Sequence, residues 1–191
     1  MILTPSILVR AFLLVFLSLL VQTYLLSPVE LVGTVIWILP ACVVAFGLLG
    51  GGLTGAVTGF ALGILSDGLT DSPLGSTALA LLLVGYLAGL YREQQVEIGL
   101  PEAGAASALG TIVANLAIGL LVLILGQAAP LDWGAASELV MQALYGFLFG
   151  IPIFLLFRKV LAPGLVDDRP SRRRRRPIAG RAIPWEGTGD G

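Results

Sequence analysis

Histidine is missing from this 191-residue chain, cysteine and lysine occur once each, and charged residues make up only 12%. Each absence excludes something. Without histidine the chain lacks the commonest general base, the commonest metal ligand and the side chain that titrates near neutrality. Cys42 has no partner for an internal disulfide, and in its apolar run it reads as a small buried hydrophobe. Lys159 stands at the end of the last apolar run, so a serine nucleophile within the apolar segments would have neither histidine nor lysine beside it. No two carboxylates lie close together inside one apolar run, which removes the pair that aspartyl-type hydrolysis requires. Coupled pumping places ionisable groups near the middle of a bilayer, and no apolar run here carries one centrally. The sequence therefore predicts no catalytic, cofactor or metal residues.

What is present is apolar. Hydrophobic residues reach 57%, whereas an ordinary soluble domain is about 25% charged. A bilayer core about 30 Å thick takes about 20 apolar residues as helix. Six stretches meet or approach that length: 6–26, 30–48, 50–67, 73–91, 104–126 and 137–158. The predicted fold is an all-α membrane protein, a six-transmembrane-helix bundle over residues 1–162, followed by a disordered Arg-rich tail over 163–191. Arg10 ahead of the first run gives it the look of a secretory signal. No small-residue cleavage pattern follows, and the run reads as a retained helix. Ser72 and Pro73 suit the N-cap and first position of the fourth helix. Pro40 falls inside the second stretch and predicts a kink or a division there. Arg10, Arg92 and the bases from Arg158 onward fall on one side of six spans, which the positive-inside rule makes cytoplasmic. The opposite side holds Glu30, Asp67, Asp71, Asp132 and Glu138.

"GLLGGGLTGAVTGFALGILSDG" (47–68) sets Gly47, Gly51, Gly55, Gly59 and Gly63 four apart, and the next step of the count is Asp67. A glycine inside a helix loses about 1 kcal/mol against alanine. In a bilayer, where burial from water cannot drive helices together, small residues at this spacing let backbones approach closely. The row predicts a groove on the third span, with Gly85 and Gly89, Ala106, Gly110 and Ala114, and Gly146 and Gly150 as matching small residues on later spans. Two readings stand: packing within the chain, or a surface for another membrane protein. Asp67 likewise reads as an anchor that accepts hydrogen bonds from loop N–H groups, or as a contact to a partner. Asn115, the most central strongly polar side chain, predicts a hydrogen bond between helices; Thr54, Thr58, Gln22 and Gln142 read similarly. The run Arg172, Arg173, Arg174, Arg175 and Arg176 suits adsorption to anionic lipids or simple anchoring of the topology, with contact to an acidic cytoplasmic protein as a third reading. It lacks the interleaved aromatics and folded platform of a nucleic-acid site.

Residues 58–90, "TGFALGILSDGLTDSPLGSTALALLLVGYLAGL", resemble the MreD family of bacterial rod shape-determining membrane proteins. The resemblance rests on Gly59, Phe60, Gly63, Asp67, Leu74, Gly75, Tyr86 and Leu87, with a second patch at 152–160, "PIFLLFRKV". It implies a non-enzymatic scaffold of the cell-elongation machinery in the bacterial cytoplasmic membrane, with both termini inside. The scaffold would bind the single-span protein MreC and link MreB filaments to the peptidoglycan synthase RodA and its transpeptidase partner. The family's bundle is also similar to substrate-binding subunits of energy-coupling-factor vitamin transporters, which implies an alternative: a small-molecule binding subunit with a pocket near the outer face. On the scaffold reading the partner surface falls on Gly51, Gly55, Gly59, Phe60, Gly63, Asp67, Gly75 and Tyr86.

Overall fold

The computed structural model describes residues 5–26, 30–31, 34–69, 75–95, 98–126 and 133–161. Among them the regular elements are helices, apart from one hairpin of two two-residue strands. Helix α1 (Pro5–Leu20) runs into a π-helical turn (Val21–Leu26). Strands β1 (Glu30–Leu31) and β2 (Thr34–Val35) pair antiparallel. Then follow α2 (Leu39–Gly50), α3 (Gly52–Asp67), α4 (Ser76–Gln94), α5 (Leu100–Ile124) and α6 (Trp133–Leu161).

Helix α2 forms the centre. Every residue from Leu39 to Leu49 is buried, and α3, α4, α5 and α6 all pack against it. Phe46 meets Phe157 of α6 with ring centroids 4.8 Å apart in a tilted arrangement, within the favourable range for aromatic pairs. Of the kink or division expected at Pro40, the structure shows a division: the helical part of the stretch begins there. Proline lacks an N–H and clashes with the carbonyl four residues back, so it is tolerated in the first helical turn. The helix accordingly starts around it, with Ile38 as N-cap. Residues 36–38 ahead of it are not helical.

That interruption leaves backbone groups without helical partners, and Gln22 supplies two. Its Nε2 donates to the Ile36 carbonyl at 2.9 Å, and its Oε1 accepts from the Ile38 N–H at 2.8 Å. The side-chain amide thus imitates a neighbouring strand. Gly51 makes the next break. At φ +88° it holds a left-handed backbone conformation that a side chain would strain, and it ends α2 and opens α3 within one residue.

Six helices stand where six spans were predicted, but they are unequal. At about 1.5 Å per residue, α2 is about 18 Å long and α3 about 24 Å, whereas α5 and α6 reach about 37 and 43 Å. Among the described residues, only α5 and α6, over Leu100–Ile124 and Gly134–Val160, are by themselves long and apolar enough to cross a membrane. The prediction of six full-length spans is corrected in that respect. Large apolar side chains lie exposed on the outer faces, among them Leu17, Leu53, Val57, Leu83, Leu116 and Leu148.

Candidate functional site: the glycine seam between α3 and α4

The glycine row divides at Gly51. Gly47 belongs to α2 and Gly55, Gly59 and Gly63 to α3, which corrects the single groove expected on one span. The two parts converge on α4. A Cβ at Gly47 would stand 2.6 Å from the Gly85 carbonyl oxygen; one at Gly55 would overlap the same carbonyl and come within 2.8 Å of Gly47 Cα. A Cβ at Gly59 would strike the Leu81 carbonyl, and one at Gly63 the Ala78 backbone. From the other side, a Cβ at Gly85 would meet the Gly55 carbonyl, and one at Gly89 the Gly52 nitrogen. Backbone lies against backbone along an antiparallel pair, and α4 fills the groove from within the chain.

Both ends of the seam carry a carboxylate. Asp67, at the C-terminus of α3, is only 2% exposed. Its Oδ2 accepts the Gly75 N–H at 2.7 Å and the Ala78 N–H at 3.4 Å, at the start of α4. Its Oδ1 is buried with no hydrogen-bond partner among the described residues. At the other end Glu93, in the last turn of α4, accepts the Gly52 N–H at the start of α3 at 3.5 Å. Each helix thus sets an acid against the positive end of its neighbour's dipole. Glu93 was missed in the sequence. The signal was an acid in a helix's own last turn, where its own dipole disfavours it.

The remaining predicted residues are dispersed. Gly51 is the turn described above, and its backbone closes the end of the seam, where a Cβ at Gly89 would strike its carbonyl carbon. Gly75, at φ +96°, is the N-cap of α4, which begins at Ser76 rather than near Pro73; Ser72, Pro73 and Leu74 lie outside the described residues. Phe60 and Tyr86 are 41% and 45% exposed, and one edge of the Tyr86 ring lies beside Gly52 at the start of α3. Arg172, Arg173, Arg174, Arg175 and Arg176 lie outside the described residues, as does the whole tail.

The other small residues serve a different contact from the one expected. Gly146 and Gly150 of α6 face Thr111 and Ser107 of α5, not α3, and Gly110 of α5 faces Val44 and Val84. Next to them Asn115 Nδ2 donates to Gln142 Oε1 at 2.9 Å, and Gln142 Nε2 donates to Glu138 Oε1 at 3.1 Å. This is the link between helices that Asn115 predicts.

A cavity of about 300 Å³ lies between α4 and α5. Val44, Val84 and Ala88 form its buried back, and Leu87 and Leu109 its exposed lips. Tyr91 and Glu102 stand at the end nearest the α4–α5 connection. The transport reading places a pocket near the loops after α3 and α5; this cavity reaches towards the opposite end. No protein-family model, curated protein or solved structure matches the chain.

Proposed function

We propose that this chain is a multi-pass membrane scaffold of the MreD type, without catalytic residues, that binds a single-span MreC-like partner and through it joins MreB filaments to RodA and its transpeptidase. The observation that carries the reading is the seam. Polar side chains on α3, α4 and the α1–α2 junction satisfy backbone groups of neighbouring segments, as the buried Asp67, the half-buried Gln22 and the exposed Glu93 do. Side-chain-free backbone holds α3 and α4 rigidly together. Such a pair presents outer faces of fixed shape, which is what a platform for a partner helix needs.

A bilayer setting accounts for the apolar exterior, since soluble monomers rarely expose large contiguous apolar patches. The short second span fits it as well. Residues 34–37, at no more than about 3.3 Å per residue, and the 12-residue α2 together reach up to about 31 Å, close to the thickness of a bilayer core. Non-helical backbone at membrane depth is tolerated where protein buries it and its groups are bonded. Ile36 and Ile38 are buried, and Gln22 supplies the bonds. Arg92, Arg158 and Lys159 lie at the same end of the bundle, the cytoplasmic one on the positive-inside rule.

Because α4 occupies the glycine row, the partner surface moves to the outer face of the pair, where Phe60 and Tyr86 stand. The test is co-purification with the single-span partner. Phe60→Ala combined with Tyr86→Ala is expected to abolish the complex while the melting temperature holds, and Leu120→Ala on exposed α5 is expected to leave it intact. An undiminished complex and normal cell shape with the double variant would overturn the assignment. The vitamin-transport alternative receives no support from the α4–α5 cavity, whose lining offers almost no polar groups to recognise such a ligand.

A further inference from the structure

We infer that the cavity between α4 and α5 is a lateral lipid site: it takes one acyl chain of an aminophospholipid, with the ammonium headgroup at Glu102. The inference rests on the membrane placement proposed above but not on the scaffold role.

The cavity is partly open. Val44 and Val84, both buried, close its back, and the exposed Leu87 and Leu109 flank its mouth. In a bilayer those lips face acyl chains, so hydrocarbon rather than water meets the opening. A dry apolar cavity of about 150 Å³ already holds benzene; about 300 Å³ admits a stretch of chain. Apart from Tyr91 and Glu102 at one end, the lining is apolar, without polar groups converging on the slot from several sides as in a soluble metabolite's pocket.

Polarity appears only at one end. Glu102, in the first turn of α5, accepts the Gly99 N–H at 3.0 Å through Oε2 and is exposed at the level of the α4–α5 connection. Tyr91 stands across from it on α4. A carboxylate and a phenol above an apolar slot match a ligand with a hydrocarbon tail and a hydrogen-bond-donating ammonium on its head. Phosphatidylethanolamine carries that ammonium on a zwitterionic head without net charge; phosphatidylglycerol would bring its negative charge to the carboxylate without a compensating ammonium.

The experiment uses the full chain in vesicles doped with a phosphatidylethanolamine that carries a photoactivatable acyl group, with cross-links mapped by peptide mass spectrometry. Cross-links are expected to concentrate on residues 84–91 and 102–113 over the equally exposed stripe from Leu53 to Ile64. Ala106→Phe, which fills the slot, is expected to abolish the enrichment, whereas Gly119→Phe, on open α5 surface, preserves it. Val113→Phe serves the same purpose on the same wall if the first variant does not fold. Cross-links spread evenly over all exposed helices, or an enrichment that survives the filled slot, would overturn the site. Loss of preference over phosphatidylglycerol in Glu102→Gln supports the headgroup assignment, and equal enrichment of both lipids in the unaltered protein overturns it. No partner protein is present, so failure here is separate from failure of the scaffold reading.

Discussion

Asp67 is held where a carboxylate is hard to bury, and the loss on removing it follows from what it leaves behind. Alanine there would strip the Gly75 and Ala78 N–H groups of their acceptor, at about 1–3 kcal/mol for an unsatisfied buried group. Asp67→Ala is expected to lower stability to denaturant by that amount. Asp67→Asn, which keeps an acceptor oxygen but loses the charge facing the helix dipole, is expected to fall between alanine and the native residue. Equal stability of all three proteins would remove Asp67 from the seam's energetics. The glycines divide in the same way. Gly63 has the Ala78 backbone where a Cβ would go; backbone cannot swing aside, so Gly63→Ala is expected to lose at least the about 1–3 kcal/mol typical of overpacking. Gly119 has nothing within 4 Å, and Gly119→Ala is expected to be neutral or to gain up to about 1 kcal/mol of helix propensity. Thermal unfolding of the two variants side by side reads the contrast.

Among the elements, the junction between the π-helical turn and α2 depends on one side chain. Gln22 reaches 14 and 16 residues along the chain to Ile36 and Ile38. Gln22→Leu would fill similar space and satisfy neither group, for a loss of about 1–3 kcal/mol at each. Hydrogen exchange at the Ile38 amide is expected to quicken in that variant, while α5 and α6, bonded through Asn115 and Gln142, keep their protection. Uniform loss of protection would instead mean that the junction and the α5–α6 pair unfold as one unit. In the sequence Gln22 is one polar residue in an apolar run. Its significance depends on an interruption at 36–38 that hydropathy cannot register, because the residues there are as apolar as those of a helix.

At the scale of the whole molecule, helix lengths and connections define two ends. Gly68 and Gly126 mark turns at one, and Gln95 lies on the connection at the other; all three are exposed. Cysteines placed at Gly68 or Gly126 are expected to react with an impermeant thiol reagent from outside intact cells, and one at Gln95 only after the membrane is opened. Native Cys42, 1% exposed in the central helix, is expected to stay silent until the protein unfolds, so it needs no removal beforehand. Labelling of Gly68 and Gln95 positions from the same side would refute the proposed multi-pass topology.

The sequence by itself determined the apolar character, the six helical segments to within a few residues of most ends, and the spacing that makes Gly55, Gly59 and Gly63 a close-packing face. These follow from local properties: hydropathy, helical period and the missing Cβ. Tertiary structure decided that α4 fills that face, that Gly51 folds the row so that Gly47 and Gly55 meet the same Gly85 carbonyl, and that Gly146 and Gly150 pair with α5. It also decided that a cavity opens beside Gly110. Hydropathy ranks a segment's preference for an apolar medium, and lipid and protein interior satisfy it equally. Which surface lies against which depends on the shapes of residues far apart in the chain, and those meet only in the fold.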